Sequence, residues 1–324
     1  MKCIRMIVAL IALVALMGCI KKSGDEKPTI AVIPKGSTHE FWKAIHAGAL
    51  DASVEENVDI IWKGPVKEDD REDQIQTVES FISAGVDAIV LAPLDDRALF
   101  IPVRDAKSVG IPTVIVDSAL EGNEHISFIA TDNYRGGVLG AELMGKLLGN
   151  TGKLIMIRVM EGAASSTKRE EGFITTIRTK FPGITVLSDN QYGGITTESS
   201  YRTCENMLNR FGDVDAIFSP NESTTFGCLR ALQDYGLAGK VFFVGFDSSD
   251  KLIQALRDGE INGLVVQNPY RMGYDGVKTA VAHMKGLPYE TLIDTGVHMV
   301  TKDTIDDPEI RKLLHHTVSV LESE

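Results

Sequence analysis

The sequence predicts an α/β fold of two doubly wound parallel-sheet (Rossmann-like) lobes joined by a three-crossing hinge. Three observations carry this reading. Strand-like apolar runs alternate with amphipathic helix-like stretches along most of the chain, the pattern of a parallel sheet with helices on both faces. The middle of the chain also repeats itself: Val86-Asp87-Ala88-Ile89-Val90-Leu91-Ala92-Pro93 returns as Val214-Asp215-Ala216-Ile217-Phe218-Ser219-Pro220. Each copy follows a stretch ending in Gly (Gly85, Gly212) and leads to a second apolar run closed by Asp-Ser, at Asp117-Ser118 and Asp247-Ser248. Finally, no long linker separates the halves, so the crossings must be short, near residues 130, 267 and 296. Ligands of open parallel sheets sit at the carboxyl ends of the strands, and two facing lobes with an acid at those ends describe a clamp.

The elements follow in order. Residues 29–33 are a continuous apolar run suited to a buried strand. Over 40–54 a helical stripe joins Phe41, Ile45, Ala49 and Ala52, and 58–62 is the second strand. Ile75, Val78 and Ile82 share one face of a helix over 71–84. Residues 89–91 and 113–116 are strands three and four, with a helix between them, and 126–129 is the fifth. Thr131-Asp132-Asn133 then opens a helix rich in glycine (Gly136, Gly137, Gly140, Gly145), and a new cycle starts with a strand over 153–157. Its helix over 168–180 turns Phe173 and Ile177 inward. Strand 184–187, helix 198–211, strand 214–218, helix 224–235 and strands 241–246 and 261–266 follow. A helix over 270–286, a strand over 296–300 and a weak terminal helix close the chain. The expected division is 28–130 with 268–296 for an N-terminal lobe and 131–267 with 297–324 for a C-terminal one.

At 324 residues the chain is long enough for two domains, and with 44% hydrophobic and 24% charged residues it can build a packed core. Its 33 basic against 45 acidic residues, a formal charge of -12, argue against a nucleic-acid partner, because such binding neutralises phosphates with Lys and Arg. Residues 1–18 read as a signal peptide: Lys2 and Arg5 precede an apolar run over 7–17 that is too short to span a bilayer comfortably. The run ends in Leu16-Met17-Gly18-Cys19, which resembles the lipobox of bacterial lipoproteins. That resemblance implies lipidation of Cys19, with residues 19–27 as a tether to the membrane and the protein on the outer side of it, in the cell envelope. Cys204 and Cys228 read as small buried residues, with a disulfide between them the lesser outcome. No Cys/His cluster has metal-ligand spacing, so no metal or cofactor is expected.

Function should lie in the loops after the strands. After the first comes Lys35-Gly36-Ser37-Thr38-His39-Glu40-Phe41-Trp42, and after the fourth Asp117-Ser118. Further on come Ser165-Ser166-Thr167-Lys168-Arg169, Pro220-Asn221-Glu222-Ser223, Asp247-Ser248-Ser249 and Gln267-Asn268-Pro269. Asp, Asn, Gln and Arg are planar groups able to make paired hydrogen bonds, and vicinal hydroxyls of a sugar or cyclitol suit that pairing. Phe41 and Trp42 offer flat faces to the C–H side of such a ring; Phe41 shares the stripe of Ile45 and also reads as core, which leaves Trp42 the better ligand candidate. Asp117 and Asp247 could instead be helix caps. Asp132 and Asn133 read as cap and hinge, Lys35 as a cleft residue or a partner of Glu40, and His39 equally as ligand contact or loop packing. The acidic run from Glu68 to Asp73 reads as a solvated helix start. An enzyme is not expected: G-x-S-x-G, the P-loop and G-x-G-x-x-G after the first strand are all absent.

Taken in this order, Phe41-Trp42, Gly110-Ile111-Pro112 to Asp117, Thr131-Asp132-Asn133, Arg169-Glu170-Glu171-Gly172-Phe173, Asn221-Glu222, Val244-Gly245-Phe246-Asp247 and Gln267 make the chain resemble the ribose-binding family of periplasmic sugar-binding proteins, over about residues 27–302. Those are the substrate-capturing components of ABC importers, with the type I periplasmic binding protein architecture. The resemblance implies aromatic contacts from Phe41 and Trp42, a hydroxyl acceptor at Asp117, polar contacts from Arg169, Asn221 and Asp247, and Gln267 at the hinge. It also implies a monosaccharide or related polyol as ligand, an ABC permease as partner and a monomeric state. A ligand-presenting partner for a chemoreceptor or sensor kinase is the alternative. The chain departs from ribose binders at Ser118, where they have Arg, and at His39, where they have Asn. They also carry an aromatic near residues 193–195, where this chain has only Tyr192 close by. With Lys35 at the end of the first strand, these differences point away from ribose itself and leave an acidic sugar open.

Overall fold

The computed structural model describes residues 27–37 and 39–315; the expected signal peptide and Cys19 lie outside the described residues. Two six-stranded sheets form among the described residues. The first joins β1 (Thr29–Ile33), β2 (Asp59–Trp62), β3 (Ala88–Leu91), β4 (Thr113–Val116), β5 (Ser127–Ala130) and β11 (Leu292–Asp294) in the order β11-β5-β4-β3-β1-β2. The second joins β6 (Gly152–Arg158), β7 (Ile184–Tyr192), β8 (Ala216–Phe218), β9 (Phe242–Phe246), β10 (Gly263–Gln267) and β12 (Val297–Val300) in the order β12-β10-β9-β8-β6-β7. All pairings are parallel except that of β12 with β10. Both sheets wind outward in two directions from their first strand, β1 or β6. That switch point opens a crevice at the strands' carboxyl ends.

The helices are α1 (Glu40–Glu56), α2 (Arg71–Ala84), α3 (Phe100–Ser108), α4 (Asn133–Leu148), α5 (Ala164–Lys180), α6 (Thr197–Phe211), α7 (Glu222–Asp234), α8 (Asp250–Asp258), α9 (Pro269–Met284) and α10 (Pro308–His315). They cover both faces of each sheet, which is why the inner strands are largely apolar, while the edge strands β2, β7, β11 and β12 carry exposed positions. Ile30 and Val32 pack under α1 and α9, whereas Ala31 and Ile33 pack with residues of α2 and α3. In the second sheet Leu154 and Met156 meet α4 and α5, while Ile155 and Ile157 meet α6 and α7. The period of two along each strand thus serves two cores. Cys204 and Cys228 are free thiols, fully buried in the second lobe.

The repeat in the sequence has a structural counterpart. Asp87 Oδ2 accepts from the Thr29 amide and Asp215 Oδ2 from the Lys153 amide, each at 2.7 Å. These acids tie down the starts of β1 and β6, at the end of the sheet opposite the crevice. The glycines of α4 are places of close approach. A Cβ on Gly137 would lie 2.0 Å from the Arg169 carbonyl oxygen, so the backbones of α4 and α5 touch there. The chain crosses between sheets at residues 131–132, at 268 and at 295–296. Thr131 Oγ1 donates to the Gly296 carbonyl at 3.2 Å, which couples the first crossing to the third. Sequence periodicity missed β11, a three-residue edge strand with exposed side chains, and gave β7 only its first half.

Candidate ligand cleft between the lobes

The loops after β1, β2 and β4 face those after β6, β8 and β9. Asp117 and Asp247 occupy the same place in their lobes. Both have left-handed backbone, with φ of 63° and 68°, a conformation Asp tolerates better than most residues. Each amide still donates to the neighbouring strand: Asp117 to the Ile129 carbonyl at 3.0 Å, Asp247 to that of Val265 at 2.8 Å. The chain therefore turns sharply just after the ladder ends and leaves both carboxylates buried and aimed at the cleft. Neither acid caps a helix.

Lys35 Nζ lies 2.6 Å from Asp117 Oδ2 and reaches across the cleft to Ser165 Oγ at 3.3 Å. Its partner is therefore Asp117 and not Glu40. Ser118 Oγ accepts from the Ser165 amide at 3.1 Å, a second bond between the lobes. On the far side Arg169 is fully enclosed. Nε donates to Asn133 Oδ1 at 2.8 Å, one Nη to the Pro220 carbonyl at 3.0 Å, and the guanidinium lies 4.1 Å from the centre of the Phe246 ring. The same Nη is 3.9 Å from Asp247 Oδ2. Asp247 also accepts from Gln267 Nε2 at 2.6 Å and from the Glu222 amide at 3.0 Å. Burial pushes its carboxyl above the ordinary value, against the pull of Arg169 and Gln267. Gln267 Oε1 is buried and has no hydrogen-bond partner among the described residues.

Asn221 caps α7, its Oδ1 accepting from the Thr224 amide at 3.0 Å, with Nδ2 on Ser223 Oγ at 3.1 Å. The next residue, Glu222, crosses the cleft to accept from the Phe41 amide at 3.4 Å. Burial, with the nearby charge of Asp247, pushes its carboxyl up to about 7, in spite of the opposing effect of His39. His39 Nδ1 sits 2.7 Å from Glu68 Oε1, and the same oxygen accepts from the Trp42 indole at 2.6 Å. Burial alone would lower the His39 pKa. The hydrogen bond and charge of Glu68, with the charges of Glu222 and Asp247, outweigh it and raise the value to about 9. His39 in turn keeps Glu68 below its ordinary value against the burial that would raise it.

Lys35, His39, Phe41, Trp42, Asp117, Arg169, Asn221, Asp247 and Gln267 all line one cavity of about 40 Å³, and Ser118 sits behind it. The aromatic pair differs from expectation. Trp42, read as the freer of the two, is 3% exposed and belongs to the core of its lobe, whereas Phe41 is only partly buried. Their rings meet edge to face at 5.0 Å. Asn133 and Glu68 escaped the sequence reading as cleft groups, while Ser165, Ser166 and Glu222 lay in the loops it marked without being singled out. Asn133 is no mere hinge residue, since it joins Arg169 to the Asp117 carbonyl. Ser165 and Ser166 lie one turn before Arg169, a spacing that would have flagged them. Glu68 is a correction: in place of a solvated helix start it is a buried wall of the cavity, and Asp70 is the residue that caps α2.

A mostly parallel α/β pair with its polar groups gathered at the interlobe crevice is the architecture of a hinged ligand clamp. The chain belongs to the family described as the periplasmic binding protein domain, whose model matches residues 30–288. It is 28% identical over 312 residues to the D-ribose/D-allose-binding protein of Pseudomonas aeruginosa, covering 90% of this chain and 97% of that one. Among solved structures it is similar to a carbohydrate-transporter solute-binding protein of Agrobacterium radiobacter in complex with D-arabinose, with 34% identity, a TM-score of 0.86 and coverage of 90% and 100%. An ABC-transporter solute-binding protein of Agrobacterium vitis with bound D-fucose is equally near, with 34% identity, a TM-score of 0.85 and coverage of 89% and 100%.

Proposed function

We propose that this protein captures a neutral monosaccharide or closely related polyol between its lobes and delivers it to an ABC permease, on the outer side of the membrane and anchored through a lipid on Cys19. The observation that carries the ligand assignment is the buried Gln267 Oε1, an acceptor without a partner beside the two matched acids Asp117 and Asp247. Leaving such a group unpaired costs about 1–3 kcal/mol, and a ligand hydroxyl is a suitable donor. The relatives add to this: the two solved structures hold D-arabinose and D-fucose.

Charge pairing favours a neutral ligand. Lys35 is matched by Asp117, His39 by Glu68, and Arg169 by Asp247. Among the described residues each cation on the cavity is already balanced by a carboxylate, and Glu222 adds a further carboxyl, so the charge of a sugar acid would go unmatched. The cavity is far below the roughly 300–1,000 Å³ of small-molecule pockets. Entry therefore needs the lobes to part at the three crossings and to re-close around the ligand. The Lys35–Ser165, Ser118–Ser165 and Phe41–Glu222 contacts reach across the cleft, as do the bonds from Arg71 to the Glu161 carbonyl and from the Asp96 amide to the Gly162 carbonyl, and opening breaks them.

The test is a thermal-shift screen of ligand-stripped protein against D-arabinose, D-ribose, D-fucose, D-tagatose, xylitol, myo-inositol and glucuronic acid. At about 1,000 times its Kd a ligand adds ~4 kcal/mol of stability, a shift of several degrees. A selective rise with a neutral member supports the reading. A rise with glucuronic acid alone contradicts the charge argument, and silence from folded protein contradicts sugar capture.

A further inference from the structure

We propose that Glu68 is a positioning residue that holds His39 as an imidazolium at the cleft wall, so that His39 Nε2–H is a fixed, charged donor to an oxygen of the captured sugar. The inference rests on the sugar-capture reading and adds a residue to it. Glu68 comes from the loop after β2, and His39 from the loop leading into α1. One oxygen, Glu68 Oε1, takes both the His39 Nδ1 proton at 2.7 Å and the Trp42 indole proton at 2.6 Å. Trp42 is locked in the core of its lobe, so Glu68 is held against a rigid element and the imidazole against Glu68. With Nδ1 committed, Nε2 is the remaining polar atom of His39, and the ring lines the cavity.

An imidazole with Nδ1–H bonded to a carboxylate can be neutral or charged. Neutral, it would offer Nε2 as an acceptor; charged, as a donor. The surroundings select the charged form. Glu222 from the start of α7 and Asp247 from the end of β9 both act on His39 across the cleft, and burial is overcome by the three acids together. Lys35, the other cation that its own lobe places on the cavity, is occupied by Asp117, and Lys43 on α1 by Glu40. Glu40, Asp250 and Lys251 line an adjoining opening with His39. The result is a wall that presents a donor opposite the acceptors Asp247 and Gln267 Oε1, so a bound sugar would be read with donors on one edge and acceptors on the other.

The experiment compares wild type, Glu68→Gln and His39→Ala in calorimetric titrations with D-arabinose, D-ribose and D-fucose at pH 5.5 and pH 8. His39→Ala is expected to weaken binding by about 10–100-fold at both pH values, the worth of a charge-assisted hydrogen bond. Glu68→Gln is expected to weaken it about tenfold at pH 8, where the imidazole, left with burial opposed only by the charges across the cleft, is neutral. At pH 5.5 that imidazole recharges, and affinity should return to within about threefold of wild type. Glu222 and His39 act on each other's charge, so all three proteins carry Glu222→Gln as well, which removes its titration from the comparison. Loss of affinity in Glu68→Gln that is equal at both pH values would mean a merely structural role, and no loss at pH 8 would mean no role; either overturns the inference. If wild type binds none of the sugars, the sugar reading fails, and nuclear magnetic resonance of the His39 ring in ligand-free protein decides the rest. A ring charged at pH 8 in wild type and neutral in Glu68→Gln supports the positioning role, and a ring neutral at pH 8 in wild type overturns it.

Discussion

Replacing Asp247 by Asn separates the ligand role of this side chain from any role in folding. The two side chains are isosteric, and Asn tolerates the left-handed backbone that Asp247 adopts. The new amide cannot accept from both Gln267 Nε2 and the Glu222 amide, which now approach the two carboxylate oxygens at 2.6 and 3.0 Å. Rotating the Gln267 amide resolves the conflict, because its unpartnered Oε1 can then accept from the new group. The fold keeps its hydrogen bonds, and the cleft loses both a charged acceptor and the free Gln267 oxygen. One charge-assisted hydrogen bond at roughly 1.5–3 kcal/mol and one neutral bond at roughly 0.5–1.5 kcal/mol put the binding loss at about 2–4.5 kcal/mol, an affinity drop of about 30- to 2,000-fold. Stability should change little, because two effects oppose each other: Arg169 loses its matched carboxylate, while a buried charge is relieved. The Asp247 carboxyl is pushed up by burial, so above its unfolded pKa the ionised form opposes folding, and removing the charge removes that opposition. The assay is a fluorescence titration, with Trp42 in the cleft wall as reporter, beside a thermal melt. Wild-type affinity would refute the site, and a melting temperature lowered by more than about 5 °C would show that Asp247 is structural.

Melting temperature should fall as pH rises from 5 to 10. Glu222, raised to about 7, favours the folded form while protonated and loses that contribution as pH passes from its unfolded value through 7. His39, raised to about 9, contributes fully below its unfolded value and loses it as pH rises through 9. Glu222→Gln should flatten the lower limb of the melting profile and, by removing one of the acids that raise His39, shift the upper limb to lower pH. Lys35→Met leaves Asp117 as an uncompensated buried charge and should cost about 3–5 kcal/mol of stability at pH 7, read by urea denaturation. Gly137→Ala sets a methyl against the Arg169 carbonyl and should destabilise by ~1–3 kcal/mol. It should also weaken sugar binding by displacing α5, whereas Gly149→Ala, with open space around it, should cost stability through its left-handed backbone and leave affinity unchanged.

The fold was legible because it is written twice. Continuous apolar strands, amphipathic helices and the Val-Asp-Ala-Ile repeat place each element independently of tertiary detail, and the strand-end rule puts Asp117 and Asp247 at the crevice. Pairing was not legible. Lys35 could be placed at the end of β1, but its partner across 82 positions of chain, Asp117, follows only from the sheet order. Glu68 was hidden by its setting among Asp69, Asp70, Glu72 and Asp73, since an acidic run usually marks a solvated face. Its place after β2, at the carboxyl end of the sheet, was the signal against that reading. Trp42 is more buried than Phe41: a helical stripe tells only which residues share a face, and the cleft end of α1 has both a core side and a cavity side.

The most direct measurement is a calorimetric titration of unfolded, dialysed and refolded protein with D-arabinose, D-ribose and D-fucose at pH 7. The account predicts one site per chain for at least one of them, with a negative heat-capacity change as the cleft closes over apolar surface, and loss of that signal in Asp247→Asn. Heats no larger than dilution for all three, from protein shown to be folded, would contradict the assignment of the cleft to these sugars.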